Sequence, residues 1–474
     1  MLTRLEADGF KNLLDFNVDL GPLTCIAGPN AVGKSNVFDV VEFLSLLADH
    51  PFMEAAQRLR AHGTRGTDPR TLFWQHEDVS GKAARMRLAA EMIVPRQISD
   101  DFGRLAEATT TFLRYEIELE YQPSADFGLH QPGRIVLLSE QLRHINRREA
   151  ATHLSWPHSK SRFRDLVVLG RRSGTAYIST EVDNDGNNVV SVHQDGGSRG
   201  QPRRSPAESA PRTVISTTTT SDDPTILAAR REMQHWRILA LEPAAMRSPD
   251  LASDPARIQH DGSHLAATLY RMASVDPKTT YAQISSDAAA LTDIREVGVD
   301  FDRQRELLTL EARIGTGPML PARALSDGTL RFLALCIITH DQDFGGLICM
   351  EEPENGIHPA KIESMVDLVK RLAVDPAEPP GSDNPMRQVI VNTHSPNFVA
   401  FQDRNDLLVA VPTSVKRPGS DWPVTTMRLL PMVKSWRAPN SPMPVTLDVI
   451  VDYLRSPREA RLQLELPYAE LGTA

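Results

Sequence analysis

The sequence has few cysteines and lacks an apolar stretch long enough to cross a membrane. Its three cysteines, Cys25, Cys336 and Cys349, form neither a metal-binding spacing nor an even set for disulfides, and each has apolar neighbours. We interpret them as small buried side chains in a protein of the reducing cytosol. No uncharged apolar run reaches about eighteen residues, which argues against a membrane span. Glu6 and Asp8 interrupt the start of the chain, which argues against a secretory signal.

The sequence also lacks a large excess of positive charge. Its 474 residues include 52 Lys and Arg against 61 Asp and Glu, a formal net charge of −9, so the whole chain is not drawn to nucleic acid. One stretch, Arg143–Arg204, is locally basic, which predicts either a nucleic-acid surface or a solvated basic face. Sustained heptads are absent, which excludes a long coiled-coil arm.

A chain of this length is too long for one ordinary core and predicts two lobes or one large domain with insertions. We divide it by composition and motif position into five parts. These are an N-terminal lobe with a phosphate loop and β subdomain at 1–182, a flexible insertion at 183–224, a helical lid region at 225–322, a C-terminal lobe at 323–415 and a C-terminal extension at 416–474.

Hydrophobic periodicity predicts an α/β fold with parallel central strands, because apolar strands alternate with amphipathic helices. The predicted strands are Phe16–Leu20, Leu23–Ala27, several between 71 and 141, Leu307–Ile314, Leu347–Met350 and Gln388–Asn392. The predicted helices are Lys34–Asp49, Pro224–Trp236, Leu265–Met272, Thr329–Thr339 and Pro359–Leu372.

The segment after the strand Leu23–Ala27 fits the pattern G-x-x-x-x-G-K-[ST] and predicts a loop whose N–H groups hold nucleotide phosphates. In that interpretation Lys34 reaches the β- and γ-phosphates and the Ser35 hydroxyl binds Mg²⁺. The expected nucleotide contacts here are Gly28, Pro29, Asn30, Ala31, Val32, Gly33, Lys34, Ser35 and Asn36. A chance match in a turn is the alternative, and the flanking strand and helix count against it.

Two adjacent carboxylates, Glu351 and Glu352, follow the apolar strand Leu347–Met350. A phosphate-loop enzyme needs one acid there for the Mg²⁺ shell and a neighbour to polarise the attacking water. Glu351 suits the first role and Glu352 the second. The alternative is an acidic helix start, which Pro353 and Pro359 would also explain.

Two further motifs complete the set. Ser326, Asp327 and Gly328 open a helix, either as an ordinary N-cap or, in an ATPase that dimerises, as a contact to a γ-phosphate held across the interface. His394 follows the apolar strand Gln388–Asn392 and is either structural or a neutral donor to the γ-phosphate.

In this order, the motifs GPNAVGKS, LSDGT, EEPENGIHP and NTHSP resemble those of the ABC-ATPase superfamily, and most closely the RecF-like and OLD-like bacterial ATPases. Looser similarity extends to the segments FKN, LEPAAMRSP and HDGSHLAATL. The resemblance covers most of the chain, apart from 183–224 and roughly the last sixty residues.

The resemblance implies an ABC-ATPase head with a mixed, mainly parallel core sheet, an antiparallel β subdomain and a helical lid. It implies ATP and Mg²⁺ as ligands, with Ser35 and Glu351 at the metal, Glu352 as general base and His394 as switch histidine. It further implies a head-to-tail homodimer in which Ser326 and Gly328 complete the nucleotide site of the second copy.

Two departures from the family pattern limit this comparison. Glu351 stands where the family usually has aspartate, and no glutamine clearly occupies the position that senses Mg²⁺ and γ-phosphate. Gln75 and Gln141 are candidates, while Leu241–Pro249 occupies the corresponding RecF-like position without a glutamine.

The eighty residues after His394 are too few for the C-terminal nuclease module of the OLD group. We therefore expect an ATPase switch or motor that acts on DNA or on a nuclease or effector partner, in bacterial repair or anti-phage defence. The alternative is a nucleotide-gated scaffold that hydrolyses little ATP and assembles partner proteins.

Overall fold

The computed structural model describes residues 1–60, 67–74, 84–123, 133–170, 174–195, 201–416, 423–455 and 469–470. In chain order the strands are β1 (Leu2–Asp8), β2 (Phe16–Asp19), β3 (Leu23–Ala27), β4 (Ala84–Ile93), β5 (Gln97–Ser99), β6 (Leu105–Glu107), β7 (Phe112–Gln122), β8 (Arg134–His144), β9 (Ile178–Val182), β10 (Asn188–Val192), β11 (Arg203–Pro206), β12 (Trp236–Leu239), β13 (Asp250–Leu251), β14 (Ile294–Asp302), β15 (Leu307–Ile314), β16 (Met319–Pro321), β17 (Gly346–Glu351), β18 (Arg387–Thr393), β19 (Leu407–Lys416), β20 (Val424–Pro431) and β21 (Ala469–Glu470). The helices are α1 (Lys34–Leu47), α2 (Phe52–Arg58), α3 (Ala150–His153), α4 (Asp165–Val167), α5 (Val214–Thr217), α6 (Pro224–Gln234), α7 (Pro243–Met246), α8 (Leu265–Ala273), α9 (Pro277–Leu291), α10 (Asp327–His340), α11 (Ile362–Leu372), α12 (Pro396–Ala400) and α13 (Leu447–Arg455).

The core sheet has the order β12-β17-β18-β3-β19-β20, with β21 beside β19. Its strands are parallel except β20, which runs antiparallel to β19. Apolar side chains cover both faces: Leu347 and Cys349 belong to one core cluster, and Ile348 and Met350 to the other. This two-sided burial explains the continuous apolar runs in the central strands and confirms the predicted α/β class with a mixed, mainly parallel sheet.

A second, eight-stranded sheet is antiparallel and has the order β11-β10-β9-β8-β7-β4-β1-β2. Helix α1 shares a core cluster with residues of both sheets, through Val37, Val40, Val41 and Leu44, which are fully buried. Burial of each such side chain is worth about 1.5–3 kcal/mol. Because α1 begins at the phosphate loop, its packing fixes the position of that loop.

The region 225–322, predicted as a helical lid, contains strands as well as helices. Strands β13, β14, β15 and β16 form a four-stranded antiparallel sheet that α8 and α9 contact. Val297, Leu308 and Leu310 are buried at alternating positions, which is why these segments form strands with one face on the core. Helix α9 in turn contacts α10.

The segment 183–224, predicted as a flexible insertion made of a hairpin and a loop, contains the predicted hairpin strand and further regular structure. Within its described residues, β10 and β11 extend the antiparallel sheet and α5 packs under it, with Ile215 fully buried. The composition of the segment, which is rich in Gly, Ser and Thr, suggested a loop. In the structure, the Thr213 side chain caps α5 by accepting a hydrogen bond from the N–H of Ser216. Burial in the tertiary structure and helix capping thus outweigh the weak intrinsic preference of these residues for strand and helix.

The three cysteines are buried, as predicted. Burial raises the pKa of the Cys25 and Cys349 thiols well above the usual value, which suits packing rather than reactivity. None of the described helices is both long and apolar enough to span a membrane.

Glu140 on β8 links the antiparallel sheet to α5. Its carboxylate accepts hydrogen bonds from the N–H groups of Val214 (2.6 Å) and Ile215 (2.9 Å) and from the Tyr115 hydroxyl (3.2 Å). Burial outweighs these donors and raises the pKa of Glu140 to about 7 from its ordinary 4.5.

We predict a pH-dependent loss of stability from this group. The folded protein holds the Glu140 proton more tightly than the unfolded chain, so the free energy of unfolding falls as pH rises from about 4.5 to about 7 and levels off above. The Glu140→Gln side chain cannot ionise. Between about pH 4.5 and 7 the free energy of unfolding of this variant should therefore fall by about 3 kcal/mol less than that of the wild type, as measured by urea unfolding. Equal declines in both proteins would contradict the assignment.

Candidate functional site

The loop Gly28–Ser35 passes directly from β3 into α1. Gly33, the N-cap, has φ 107°, and Ala31 has φ 66°, so the chain turns through left-handed backbone before the helix starts. No side chain caps α1 and no acid lies in its first turn. The helix therefore presents uncapped N–H groups and a positive dipole end to this loop, which is the arrangement that binds phosphate.

Lys34 is folded back onto its own loop. Its Nζ donates to the carbonyl oxygens of Gly28 (2.6 Å) and Pro29 (2.8 Å). Burial lowers the pKa of the Lys34 ammonium, while the carboxylates of Glu352 and Glu351 oppose that change. The charge of Lys34 thus lies near both acids that the sequence placed at the end of the neighbouring strand.

Asn12 braces the phosphate loop from the β1–β2 connection. Its Nδ2 donates to the carbonyl oxygen of Val32 (3.2 Å), and its Oδ1 accepts from Asn36 Nδ2 (2.7 Å). A Cβ at Gly33 would lie 2.4 Å from the Asn12 amide, so this contact requires glycine there. The segment FKN gave only a loose signal, and the structure gives Asn12 a definite role as a loop support.

The ends of three core strands bring the motifs together. Glu351 at the end of β17 lies opposite Asn392 of β18, whose Nδ2 donates to Glu351 Oε1 (3.4 Å). The next residue, Thr393, accepts at its carbonyl from the N–H of Gly28 (3.1 Å) at the start of the phosphate loop. One strand therefore separates the loop from the metal-ligand candidate Glu351, which is exposed to solvent.

Glu352 and His394 form a pair at the same edge. His394 Nδ1 lies 2.5 Å from Glu352 Oε1, and both side chains are partly exposed. Glu352 has φ 47°, an unusual conformation for a residue with a side chain, and its N–H donates to the Asn392 carbonyl (2.9 Å). The strand hydrogen bond holds this unusual backbone conformation, and the partly exposed Glu352 carboxylate is a candidate proton acceptor.

Glu354 is a site residue that the motif interpretation missed. It is buried, Thr393 Oγ1 donates to its Oε1, and its Oε2 has no hydrogen-bond partner among the described residues. Burial raises the pKa of Glu354. Thr393 Oγ1 also accepts from the N–H of Ser395 (2.9 Å). Thr393 therefore links the acid loop, the phosphate loop and the segment that carries His394.

The hydrogen bonds of the signature segment, Ser326–Gly328, are made within α10 and to Arg247. Ser326 is exposed and caps α10 by accepting from the N–H of Thr329 (3.3 Å). Asp327 pairs with Arg247 at 2.5 Å. Among the hydrogen bonds of the described residues, none joins Ser326, Asp327 or Gly328 to the segment Gly28–Asn36.

Gly328 instead approaches the loop after the acid strand. A Cβ on Gly328 would lie 2.4 Å from the carbonyl oxygen of Gly356, so only glycine allows this close packing. Nearby, Arg331 Nη1 donates to the carbonyl oxygen of Asn355 (2.6 Å). Helix α10 is therefore bound to the same loop that carries Glu352 and Glu354.

Only one of the two glutamine candidates is among the described residues. Gln141 lies on β8 opposite Glu116, within the antiparallel sheet. Gln75 lies outside the described residues. The segment Leu241–Pro249 contains α7, and its Arg247 contacts Asp327 of the signature segment rather than the phosphate loop.

The link between Thr393 and Glu354 can be tested by mutation. Thr393→Val keeps the side-chain shape but leaves the buried Glu354 carboxyl without its donor, which should lower the free energy of unfolding by about 1–3 kcal/mol. Thr393→Ser keeps the hydroxyl and should cost less. Denaturant unfolding of both variants measures the difference, and equal stabilities would show that the hydroxyl contributes nothing.

Comparison with known families finds one match within the chain. Residues 252–400 match the AAA_21 family, described as "AAA domain, putative AbiEii toxin, Type IV TA system". This range includes the signature segment, the acid strand and His394 but not the phosphate loop. No curated protein is similar enough in sequence to count as a relative.

Solved structures of SMC head domains are distantly similar to the whole chain. An SMC head bound to the C-winged helix domain of ScpA is 13% identical, covers 91% of this chain and 99% of that chain, and has a TM-score of 0.43. The SMC head domain from Thermotoga maritima is 11% identical, covers 91% and 98%, and has a TM-score of 0.35. An Smc head domain with a coiled coil and joint from Pyrococcus yayanosii is 12% identical, covers 96% and 99%, and has a TM-score of 0.40.

These likenesses are distant, and the fold is described by its strand order and by the loop between β3 and α1. Residues 252–400 match an AAA domain, and the described residues form an α/β fold with a mixed, mainly parallel core sheet.

Proposed function

We propose that this protein binds ATP with Mg²⁺, hydrolyses it, and uses the cycle as a dimerising switch. The observation that carries the proposal is the convergence of Lys34, Glu351, Glu352 and His394 at the ends of adjacent parallel strands. An anion-binding loop, two acids and a histidine at one sheet edge are the groups that phosphoryl transfer to water requires.

The residues present fit the nucleotide and its metal. The uncapped start of α1 offers N–H groups to the phosphates, and the Lys34 ammonium can exchange two loop carbonyls for phosphate oxygens. The Ser35 hydroxyl and the exposed Glu351 carboxylate supply the hard oxygen ligands that Mg²⁺ prefers. Bound Mg²⁺ would supply neutralisation of the charge on the β- and γ-phosphate oxygens.

Glu352 is the group that would remove the proton from the attacking water. The water oxygen bonds to the γ-phosphorus, the bond to the ADP oxygen breaks, and the water proton passes to the Glu352 carboxylate. His394, 2.5 Å from that carboxylate, holds it in place and lies where a nitrogen can contact the γ-phosphate. The products are ADP and inorganic phosphate.

A second copy of the chain would complete each site. Ser326 is exposed at the start of α10, and its contacts lie with Thr329 rather than with the phosphate loop of its own chain. In a head-to-tail dimer the Ser326 hydroxyl and the helix N–H groups would contact the γ-phosphate held by the other copy. ATP would then favour the closed dimer, and hydrolysis would release it.

The charges of the basic stretch favour a protein partner over direct binding of nucleic acid. Most of its described arginines are paired with acids of the same chain. The pairs are Arg143–Glu116, Arg147–Asp165, Arg162–Glu378, Arg164–Asp165, Arg203–Asp223 and Arg204–Glu181. Among the described residues this pairing offsets part of the charge that phosphates would need, so we favour a solvated basic face for the stretch.

A role in defence is the setting we favour. The description of the matched family names a putative AbiEii toxin and a type IV TA system. The motifs of this chain also resemble those of ATPases from repair and anti-phage systems. A nuclease or effector supplied in trans would be the partner that the switch controls.

The decisive variant is Glu352→Gln. This variant removes the proton acceptor but keeps the shape of the side chain, so ATP binding should stay intact. ATP turnover should fall by about a hundredfold or more, and the ATP-bound dimer should be trapped. Turnover is measured by phosphate release and assembly by light scattering with ATP. Lys34→Ala should lose ATP binding and stay monomeric, whereas Lys278→Ala on the exposed start of α9 should behave as wild type.

Each outcome has a clear meaning. Unchanged turnover in Glu352→Gln would reject Glu352 as the base. Tight ATP binding and dimerisation by the wild type, with no phosphate release from the dimer, would favour the nucleotide-gated scaffold instead.

A further inference from the structure

A cavity of about 830 Å³ lies beside the edge strand of the core sheet. One wall is formed by Glu42 and Ser45 of α1, and the floor by Trp236–Ile238 of β12. The opposite wall is the segment Arg257–Asp261. The cavity does not include any residue of the phosphate loop, although Glu242, His260 and Asp261 of the segments LEPAAMRSP and HDGSHLAATL line it.

Two arginines in this cavity have no acidic partner. Among the described residues, no ion pair or hydrogen bond engages the guanidinium groups of Arg237 and Arg257. The Nη1 atom of Arg237 is buried without a partner, and its guanidinium lies over the Phe344 ring, 4.7 Å from the ring centre. Leaving a buried guanidinium N–H unbonded is costly, so this arrangement requires compensation from another source.

The two guanidinium groups also repel each other. Burial, and then the charge of Arg257, lower the pKa of Arg237 to about 10, despite an opposing effect of Asp341. Two neighbouring cations at the wall of a cavity create a positive potential within it. An anion bound between them would remove this repulsion and accept hydrogen bonds from the guanidinium N–H groups that reach the cavity.

The acidic groups in the wall do not neutralise these arginines. Burial beside Asp39 raises the pKa of Glu42 to about 7, so that carboxyl is partly protonated near neutral pH. Asp261 accepts from the N–H of Ser263 (2.9 Å). Glu242 lines the cavity without forming an ion pair to either arginine among the described contacts.

We propose that this cavity binds the phosphate group of a small phosphorylated ligand between the guanidinium groups of Arg237 and Arg257. Arginine suits phosphate because its planar N–H groups match two phosphate oxygens at once. A concave space of this volume suits a small molecule, since ligand sites typically measure about 300–1,000 Å³. Ser45 and Trp236 also line the cavity.

This second site would flank the nucleotide site without sharing residues with it. Helix α1 connects the two, because it starts at Lys34 in the loop and carries Glu42 and Ser45 on the cavity wall. A ligand here would therefore contact the same helix whose N-terminus holds the nucleotide phosphates.

The test is pyrophosphate binding by calorimetry in a Lys34→Ala background, where the phosphate loop is disabled. The full chain with Lys34→Ala should bind one pyrophosphate. Adding Arg257→Ala, at an exposed position, should weaken binding about tenfold or more, as should Arg237→Met, which keeps the packing on Phe344. Adding Arg305→Ala, at the exposed turn before β15, should change nothing.

Several results would overturn the proposal. The first is that the Lys34→Ala protein does not bind pyrophosphate. The second is that neither arginine variant changes the affinity for pyrophosphate. The third is that the protein binds a dT oligonucleotide but not pyrophosphate. Thermal unfolding of each variant shows that it is folded, and Arg257 is exposed enough for its removal to be tolerated. Binding that is lost in the Arg237 and Arg257 variants is distinguished from residual binding at the loop, because neither arginine belongs to the loop, so the result does not depend on the ATPase proposal.

Discussion

The register of three parallel strands is the constraint on which the site depends. Thr393 pairs with Ala27, and Glu351 pairs with Asn392, so β3, β18 and β17 end at one level. The phosphate loop, the acids and His394 each follow one of these ends, although up to about 370 residues of chain separate them. Burial on both faces holds this register, because a slip of one residue would exchange the side chains that fit the two different core clusters.

From this edge, a continuous set of contacts leads to the surface that would meet a second copy. Thr393 binds the phosphate loop through its carbonyl and Glu354 through its hydroxyl. The loop that carries Glu354 continues to Asn355 and Gly356, which contact α10 through Arg331 and Gly328. A change at Glu352 and His394 therefore has a short physical route to Ser326. In a sandwich dimer, this would couple the nucleotide in one site to the contacts made in the other.

The sequence predicted elements best where one signal dominates. Apolar runs located β3, β17 and β18, and the glycine–lysine pattern located the phosphate loop. Helix α9 was missed because its sequence PKTTYAQISSDAAAL is polar and rich in small residues, and it forms against β14 and α10. Glu354 was missed because its importance lies in burial against Thr393, 39 residues away, which no local pattern records. Likewise, the basic stretch looked unpaired because partners such as Glu116 and Glu378 are distant in sequence.

The central claim is that each ATP site is shared between two copies of the chain, and a mixing experiment tests it most directly. Lys34→Ala and Ser326→Arg should each be inactive alone, because neither variant can form a site that has both halves. In a mixed dimer, Lys34 of the Ser326→Arg protein lies across the interface from Ser326 of the Lys34→Ala protein. One complete site then forms, and phosphate release should reappear on mixing. A mixture that stays inactive while both variants remain folded, or full turnover by Ser326→Arg alone, would contradict the account.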